Sequence, residues 1–390
     1  MGESVEQVAS LRGEAAVPQW LSRVAIVMAL AVVGLLTRYA AYRFAIPDAE
    51  PADFFKVMCR WDCEWYVRLA ETGYDPFPTP KMINAGNWAF FPLYPMLIGL
   101  LRQLTGLPTL QLSAAVSILL SMAAALVAWP LLGRSLRAFT LFATFLLAGP
   151  VSFYFTTFFT ETLFMFLTVA VFAALQERRW LLVGMLAAAL SATRIVGVFI
   201  VFAILWQVWA DHRARGGTWR DFVPATLARP ELVLTFAIAP LGLFAYMAFL
   251  HFHIGDALAF QHVQRAWGRP FGLPPVFIWN GLANLPADGW WPTPSQILAG
   301  AAVLGYLLVL GLVLTGRIAM AIFAAIALTL PLFAGLASMV RFVTGMAPMS
   351  LLLADLAGRT RLGFAVGMLL LLLGGWYVTL GWLDWSIALV

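Results

Sequence analysis

Residues 24–36 read VAIVMALAVVGLL, thirteen uncharged positions inside a stretch, 20–44, whose charged residues are Arg23, Arg38 and Arg43 alone. A helix needs about 20 predominantly apolar residues to cross the hydrocarbon of a bilayer, and this stretch supplies them. Comparable runs return as far as the C-terminal region. The candidate spans are 20–44, 109–133, 136–155, 158–176, 180–192, 194–210, 231–252, 294–315, 317–337, 341–357 and 362–383, about eleven in all. With 62% hydrophobic and 11% charged residues, the composition excludes an ordinary soluble domain. The reading is an all-α, polytopic integral membrane protein.

The formal net charge of +5 then points to anionic lipid headgroups and the positive-inside bias, not to nucleic acid. Residues 1–19 are polar and carry acids, and the apolar stretch after them is too long for a signal-peptide core. They are expected to form a cytoplasmic N-terminal segment ahead of a single transmembrane domain, 20–390. Arg134 and Arg137, Arg178 and Arg179, Arg213, Arg215 and Arg220, Arg317, and Arg359 with Arg361 should all face the cytoplasm. That alternation works if the apolar stretch 88–105 does not cross. Its opening, Phe90-Phe91-Pro92-Leu93-Tyr94-Pro95, suits a juxtamembrane helix in the interface. A large first outer loop, 45–108, and a second, 253–293, follow from this order. A crossing at 88–105 would instead put Asp62 and Glu161 on opposite faces.

The first of these loops holds Arg60-Trp61-Asp62-Cys63-Glu64-Trp65-Tyr66. Read as one helix, the segment separates its acids: Glu64 has Arg60 and Arg68 at four-residue offsets, an ordinary ion-pair spacing. Asp62 has Met58, Cys59, Trp65 and Tyr66 at its offsets, and no cation. A carboxylate among aromatic side chains without a nearby cation is a candidate general base; the plainer role is a helix cap or a bond to a loop amide. On one helix the spacing of Cys59 and Cys63 makes a disulfide strained, so both are expected as free thiols or packing.

Other ionisable residues sit where apolar surroundings make them expensive. Glu161 follows Phe158-Phe159-Thr160 and could complete a helix dipole. Arg194, in a tight turn around Ser191-Ala192-Thr193-Arg194, must find an anion, either a protein carboxylate such as Glu161 or a ligand phosphate, and Arg341 poses the same choice. If the chain is helical after Asp256, then His262, Arg265 and Arg269 share a face and form a clamp for a phosphate headgroup, or a basic face resting on lipid. His251 and His253 lack a third ligand for zinc. Asp62-Cys63-Glu64 could hold a hard divalent cation, but the arginines flanking Glu64 oppose it, and no metal is expected. The chain contains neither a phosphate-binding Gly-x-x-x-x-Gly-Lys-Ser/Thr loop nor a Gly-x-Ser-x-Gly elbow.

The segment 60–66, with Ala70-Glu71-Thr72-Gly73-Tyr74, resembles the Trp-Asp-Ser-x-Trp-Tyr and Gly-Tyr signature of the GPI mannosyltransferase II (PIG-V) family. The likeness continues through residues 90–95, Phe159-Thr160-Glu161, Thr193-Arg194, Gly255-Asp256 and Trp267-Gly268-Arg269, in the family's order and over most of the chain. Cys63 replaces the usual serine, and Ala257 stands where a proline is expected after Asp256. The resemblance implies a GT-C-type helical bundle with its active site on the non-cytoplasmic face, in a bacterial plasma membrane. It implies an inverting enzyme that moves a sugar, commonly mannose, from a polyprenyl-phosphate carrier to a hydroxyl of a glycolipid or other acceptor, with no cofactor. Asp62 would be the base, and Arg194, Arg341 or the Arg265/Arg269 face would hold the phosphate. Trp61, Trp65 and Tyr66 would pack the sugar and exclude water. The competing reading is a lipid or solute transporter using Glu161, Arg194 and Arg341 as its pathway. No internal repeat of the transporter kind is visible to support it.

Overall fold

Apolar runs that cannot bond their backbone to water close it on itself, and all the regular elements of the described residues are helices. The structure is a computed structural model that describes residues 19–78, 85–269, 271–284, 292–384 and 389. The expected N-terminal cytoplasmic segment up to residue 18 lies outside the described residues. So do 79–84 of the first expected outer loop and 270 and 285–291 of the second.

Helix α1 (Gln19–Ala45) leads into three shorter helices, α2 (Phe54–Met58), α3 (Asp62–Thr72) and α4 (Leu93–Thr105). Then come α5 (Thr109–Val127), α6 (Leu136–Leu147), α7 (Glu161–Gln176), α8 (Trp180–Ser191) and α9 (Ile200–Ala214), which a 3₁₀ turn, Ile195–Phe199, extends at its start. After α10 (Phe222–Leu227), α11 (Pro230–Ile238) and α12 (Leu241–Ile254) form one nearly continuous rod. Short α13 (Ala259–His262) and α14 (Pro274–Ala283) precede α15 (Pro294–Leu314), α16 (Ile318–Leu332), α17 (Met339–Thr344), α18 (Ala347–Gly358) and α19 (Arg361–Leu383).

Among the described residues six stretches are helical, long and apolar enough to cross a membrane: 19–45, 109–127, 195–214, 230–254, 294–314 and 361–383. The remaining apolar helices, α6, α7, α8, α16 and α18, are shorter. Prolines and 3₁₀ turns explain part of that shortening. The run 136–155 does not stay helical, because Ala148-Gly149-Pro150 interrupts it, Pro150 having no N–H to donate, and a 3₁₀ turn, Ser152–Phe155, follows. The run 341–357 is likewise split, with α18 restarting at Ala347-Pro348.

Burial separates the helices by role. Thirteen of the 16 residues of α7 are buried, so it is the central helix, packed between α5 and α8. By contrast α1 and α19 turn apolar side chains such as Leu36 and Leu373 outward. These two helices also meet one segment of chain at close range. A Cβ on Gly34 would lie 1.8 Å from the Leu147 carbonyl oxygen, and one on Gly375 would lie 2.2 Å from that of Ala148. Only glycine permits such approaches, the usual device of tightly packed apolar helices. Helix α4 buries Tyr94, Pro95, Ile98 and Gly99, chiefly against α3, and exposes Met96, Leu100 and Leu104.

Candidate active site

The site begins at a break between helices. Helix α2 ends at Met58; Cys59 is extended (φ −84°, ψ 99°) and Trp61 takes φ 57°, so that Asp62 opens α3. The expected single helix through 58–66 is therefore absent, and two readings built on it change. Cys59 and Cys63 are not free thiols: the extended residue at position 59 brings them together as a disulfide with a Cα–Cα separation of 5.3 Å. Nor does Glu64 pair with Arg60 and Arg68. It is exposed without an ion pair among the described residues, while Arg68 reaches Asp75 at 2.5 Å. Asp62 occupies the first turn of α3, where the helix dipole favours a carboxylate.

Asp62 has no partner on its own helix but does have a distant one. Its Oδ2 accepts a hydrogen bond from Arg341 Nη1 at 2.5 Å, so the expectation of a carboxylate without a nearby cation is overturned. Arg341 also donates through Nε to Glu161 Oε1, and that same oxygen accepts from Arg194 Nη1 at 2.6 Å. The result is a chain of charges, Asp62–Arg341–Glu161–Arg194, assembled from the starts of α3 and α7, from α17 and from the residue that precedes the 3₁₀ turn Ile195–Phe199. Glu161 is fully buried and its Oε2 accepts no hydrogen bond. The Asp62 side chain keeps 29% exposure, and its second oxygen accepts no hydrogen bond among the described residues. Phe159 lies under Arg341, and Phe164 and Phe342 flank Arg194, giving the guanidinium planes aromatic neighbours.

A third arginine completes the electrostatics. Arg269 lies within the field of Asp62, Arg341 and Arg194. Burial pulls its pKa below the usual arginine value, and Asp62 acts in the opposite direction. Among the described residues no salt bridge ties it to a carboxylate. Three guanidinium groups and two carboxylates thus act on one another electrostatically, with one positive charge in excess. A ligand anion would neutralise that charge. Arg269 also borders an open cavity of about 580 Å³ with Trp267, Phe277, Asn280, Asn284 and Ser295.

An aromatic wall stands beside the charges. Trp65 stacks on Phe90 with ring centroids 5.5 Å apart and meets Trp267 edge-on at 5.8 Å. Tyr66 packs edge-on against Phe90 and Phe159, and its hydroxyl hydrogen-bonds Thr160 Oγ1 at 3.0 Å, joining α3 to the start of α7. Trp61 is half-buried at the break. Segments 60–66, 90–95, 159–161, 193–194 and 267–269, far apart in the chain, therefore meet in one place.

The expected His262–Arg265–Arg269 face does not form. The α-helix there spans only Ala259–His262, a 3₁₀ turn carries Val263–Trp267, and Gly268 turns left-handed (φ 59°) before Arg269. His262 is instead bound to Asp256 through Nδ1 at 2.7 Å, which holds the Asp256 carboxyl below its usual pKa; Arg265 is exposed. Sequence reasoning passed over Asp75 and Asn87, which exchange backbone-to-side-chain hydrogen bonds of 2.9 and 3.1 Å. Trp88 Nε1 and His253 Nε2 both contact the Asp75 carbonyl, fastening the segment before α4 to the end of α12. The only signal was an acid and an amide in a loop otherwise rich in proline and glycine. Among the described residues no group of three or more His, Cys, Asp or Glu side chains is arranged to hold a metal ion.

Comparison with protein-family models, with curated proteins and with solved structures gives no match to this chain.

Proposed function

We propose that this membrane protein is an inverting glycosyltransferase that moves a sugar, mannose being the first choice, from a polyprenyl-phosphate carrier to a hydroxyl group of a lipid-linked or other extracytoplasmic acceptor. The bundle is then of the GT-C type, with all eleven apolar helical segments spanning or entering the bilayer. The observation that carries the reading is the pairing of a partly exposed carboxylate with an arginine cluster holding one positive charge in excess. Arg194 and Arg341 are occupied by Glu161 and Asp62, so Arg269 is the cation offered to the donor phosphate. The sequence resemblance to the PIG-V family supports the same chemistry.

In the transfer, the acceptor oxygen attacks C1 of the sugar as the bond from C1 to the phosphate oxygen breaks. The hydroxyl proton passes to the open oxygen of Asp62, and the carrier leaves as polyprenyl phosphate. Charge growing on the phosphate is met by Arg269, with Arg341 and Arg194 behind it as fixed dipoles that need no reorganisation. Arg341 orients Asp62 through its bond to Oδ2 and leaves the other oxygen open. Trp267, half-buried and backed by the stacked pair Trp65 and Phe90, offers its surface to the sugar's C–H side and shields C1 from water. A disulfide beside the base suits an oxidising compartment, in agreement with a site on the non-cytoplasmic face of a bacterial plasma membrane.

The test is reconstitution of the purified chain in liposomes with polyprenyl-phosphate mannose and a total membrane lipid extract as acceptor pool. Released polyprenyl phosphate and a mannosylated lipid are expected. Asp62→Asn should lower turnover by about 10²–10⁴-fold, the range for losing a general base, with donor binding retained. Near-normal turnover in that variant sinks the base assignment. Movement of intact donor across the bilayer without cleavage would make the protein a transporter.

A further inference from the structure

The two cysteines, Cys59 and Cys63, enclose Arg60, Trp61 and Asp62 in a loop closed by their disulfide. Inside that loop Trp61 holds φ 57° and ψ −120°, a left-handed φ that a side chain with a Cβ adopts only where its surroundings enforce it. No glycine or proline lies between Phe54 and Thr72, so no backbone breaker imposes the break between α2 and α3. With no helix breaker present, one continuous helix through 58–66 is open to these residues, and it would turn Asp62 away from its present direction. The cross-link opposes that outcome. It joins the extended end of α2 to the first turn of α3 on either side of the strained residue, and Cys63 is fully buried beneath Asp62's own turn.

We infer that the Cys59–Cys63 disulfide is a positioning element for the transfer reaction. It fixes the break so that Asp62 meets Arg341 with one oxygen and presents the other to the acceptor. The role rests on the transferase reading proposed above. Asp62 remains the group that touches substrate, and the cysteines act through it. The disulfide's contribution is to turnover, because Arg269, Phe90 and Trp267 lie on other segments and Trp65, further along α3, is held by its own packing on those two rings.

The experiment uses the full-length protein in nanodiscs, with and without a water-soluble phosphine. The phosphine breaks the S–S bond, giving two thiols and the phosphine oxide, and alkylation followed by mass measurement establishes that reduction is complete. Two quantities are read: hydrogen exchange of the amides in 58–66, and steady-state transfer from polyprenyl-phosphate mannose. Reduction should change exchange at Trp61, Asp62 and Cys63. It should also lower kcat by about 10²-fold, the cost of an ångström-scale misplacement, with the donor KM unchanged. Cys59→Ser/Cys63→Ser should start at the low turnover and ignore the phosphine, since the chain has no other cysteine. Unchanged kcat on complete reduction, or a rise in KM alone, overturns the positioning role. Failure of the oxidised wild-type protein to transfer sugar overturns the transferase reading instead. The clamp is then decided by exchange, and no change on reduction would reject it.

Discussion

Two carboxylates in this protein each hold two arginines on a single oxygen. Glu161 Oε1 accepts from Arg194 and Arg341; Asp355 Oδ2 accepts from Arg317 at 2.7 Å and Arg359 at 3.0 Å. Their surroundings differ. The Glu161 side chain is 0% exposed and its arginines 13% and 7%, whereas Asp355 is 17% exposed and Arg359 56%. Water shares the work around Asp355 and screens it. Around Glu161 the protein alone must compensate each charge, and breaking such a set strands a charge in a medium that solvates it poorly. Among the described residues only the buried set goes on to a further carboxylate, Asp62, by way of Arg341. The same triad of groups therefore serves as a surface staple in one place and as a preorganised field in the other.

The largest effect expected from this contrast is on folding. Glu161→Gln leaves Arg194 and Arg341 buried without their shared acid and should destabilise the protein by about 3–5 kcal/mol, read as a lower midpoint of denaturant unfolding in detergent. A stability within about 1 kcal/mol of wild type would mean that the buried set is as well screened as the surface one. Next in size is Arg269→Ala. It removes the arginine of the cluster that no carboxylate among the described residues pairs with and should weaken donor binding by about 1.5–3 kcal/mol, with unfolding little changed. A titration with polyprenyl phosphate would measure it, and unaltered affinity would return the phosphate to Arg194 or Arg341. Smallest is Arg359→Ala. Asp355 keeps Arg317, so about 0.5 kcal/mol or less is expected, together with wild-type transfer. A loss of transfer there would connect the two triads and end the comparison.

Parts of this arrangement were legible in the residues. Long apolar runs read directly as helices, because burial without backbone bonding is prohibitive in a bilayer. That Arg194 needed an anion, and that Glu161 could be it, followed from two charges in apolar surroundings. The union of Asp62 with Arg341 was not legible, since it joins residues 279 apart and depends on how α17 docks. The break at Trp61 was also hidden. Left-handed backbone is ordinarily announced by glycine or asparagine, and here a tryptophan carries it beside a cross-link. The misplaced clamp at 262–269 has a similar origin, although Gly268 did mark the point where a helical face could not continue.

The distance along the chain between Asp62 and its arginine has a consequence for biosynthesis. At about 5–20 residues per second, roughly 15–55 s separate the emergence of Asp62 from that of Arg341. Glu161 waits for the same arginine across 180 residues, although Arg194 reaches it sooner. For most of its synthesis the nascent chain therefore carries acids whose final partner does not yet exist, in a membrane that tolerates bare charge poorly. A chain that stalls before residue 341 leaves those acids without the arginine that joins them.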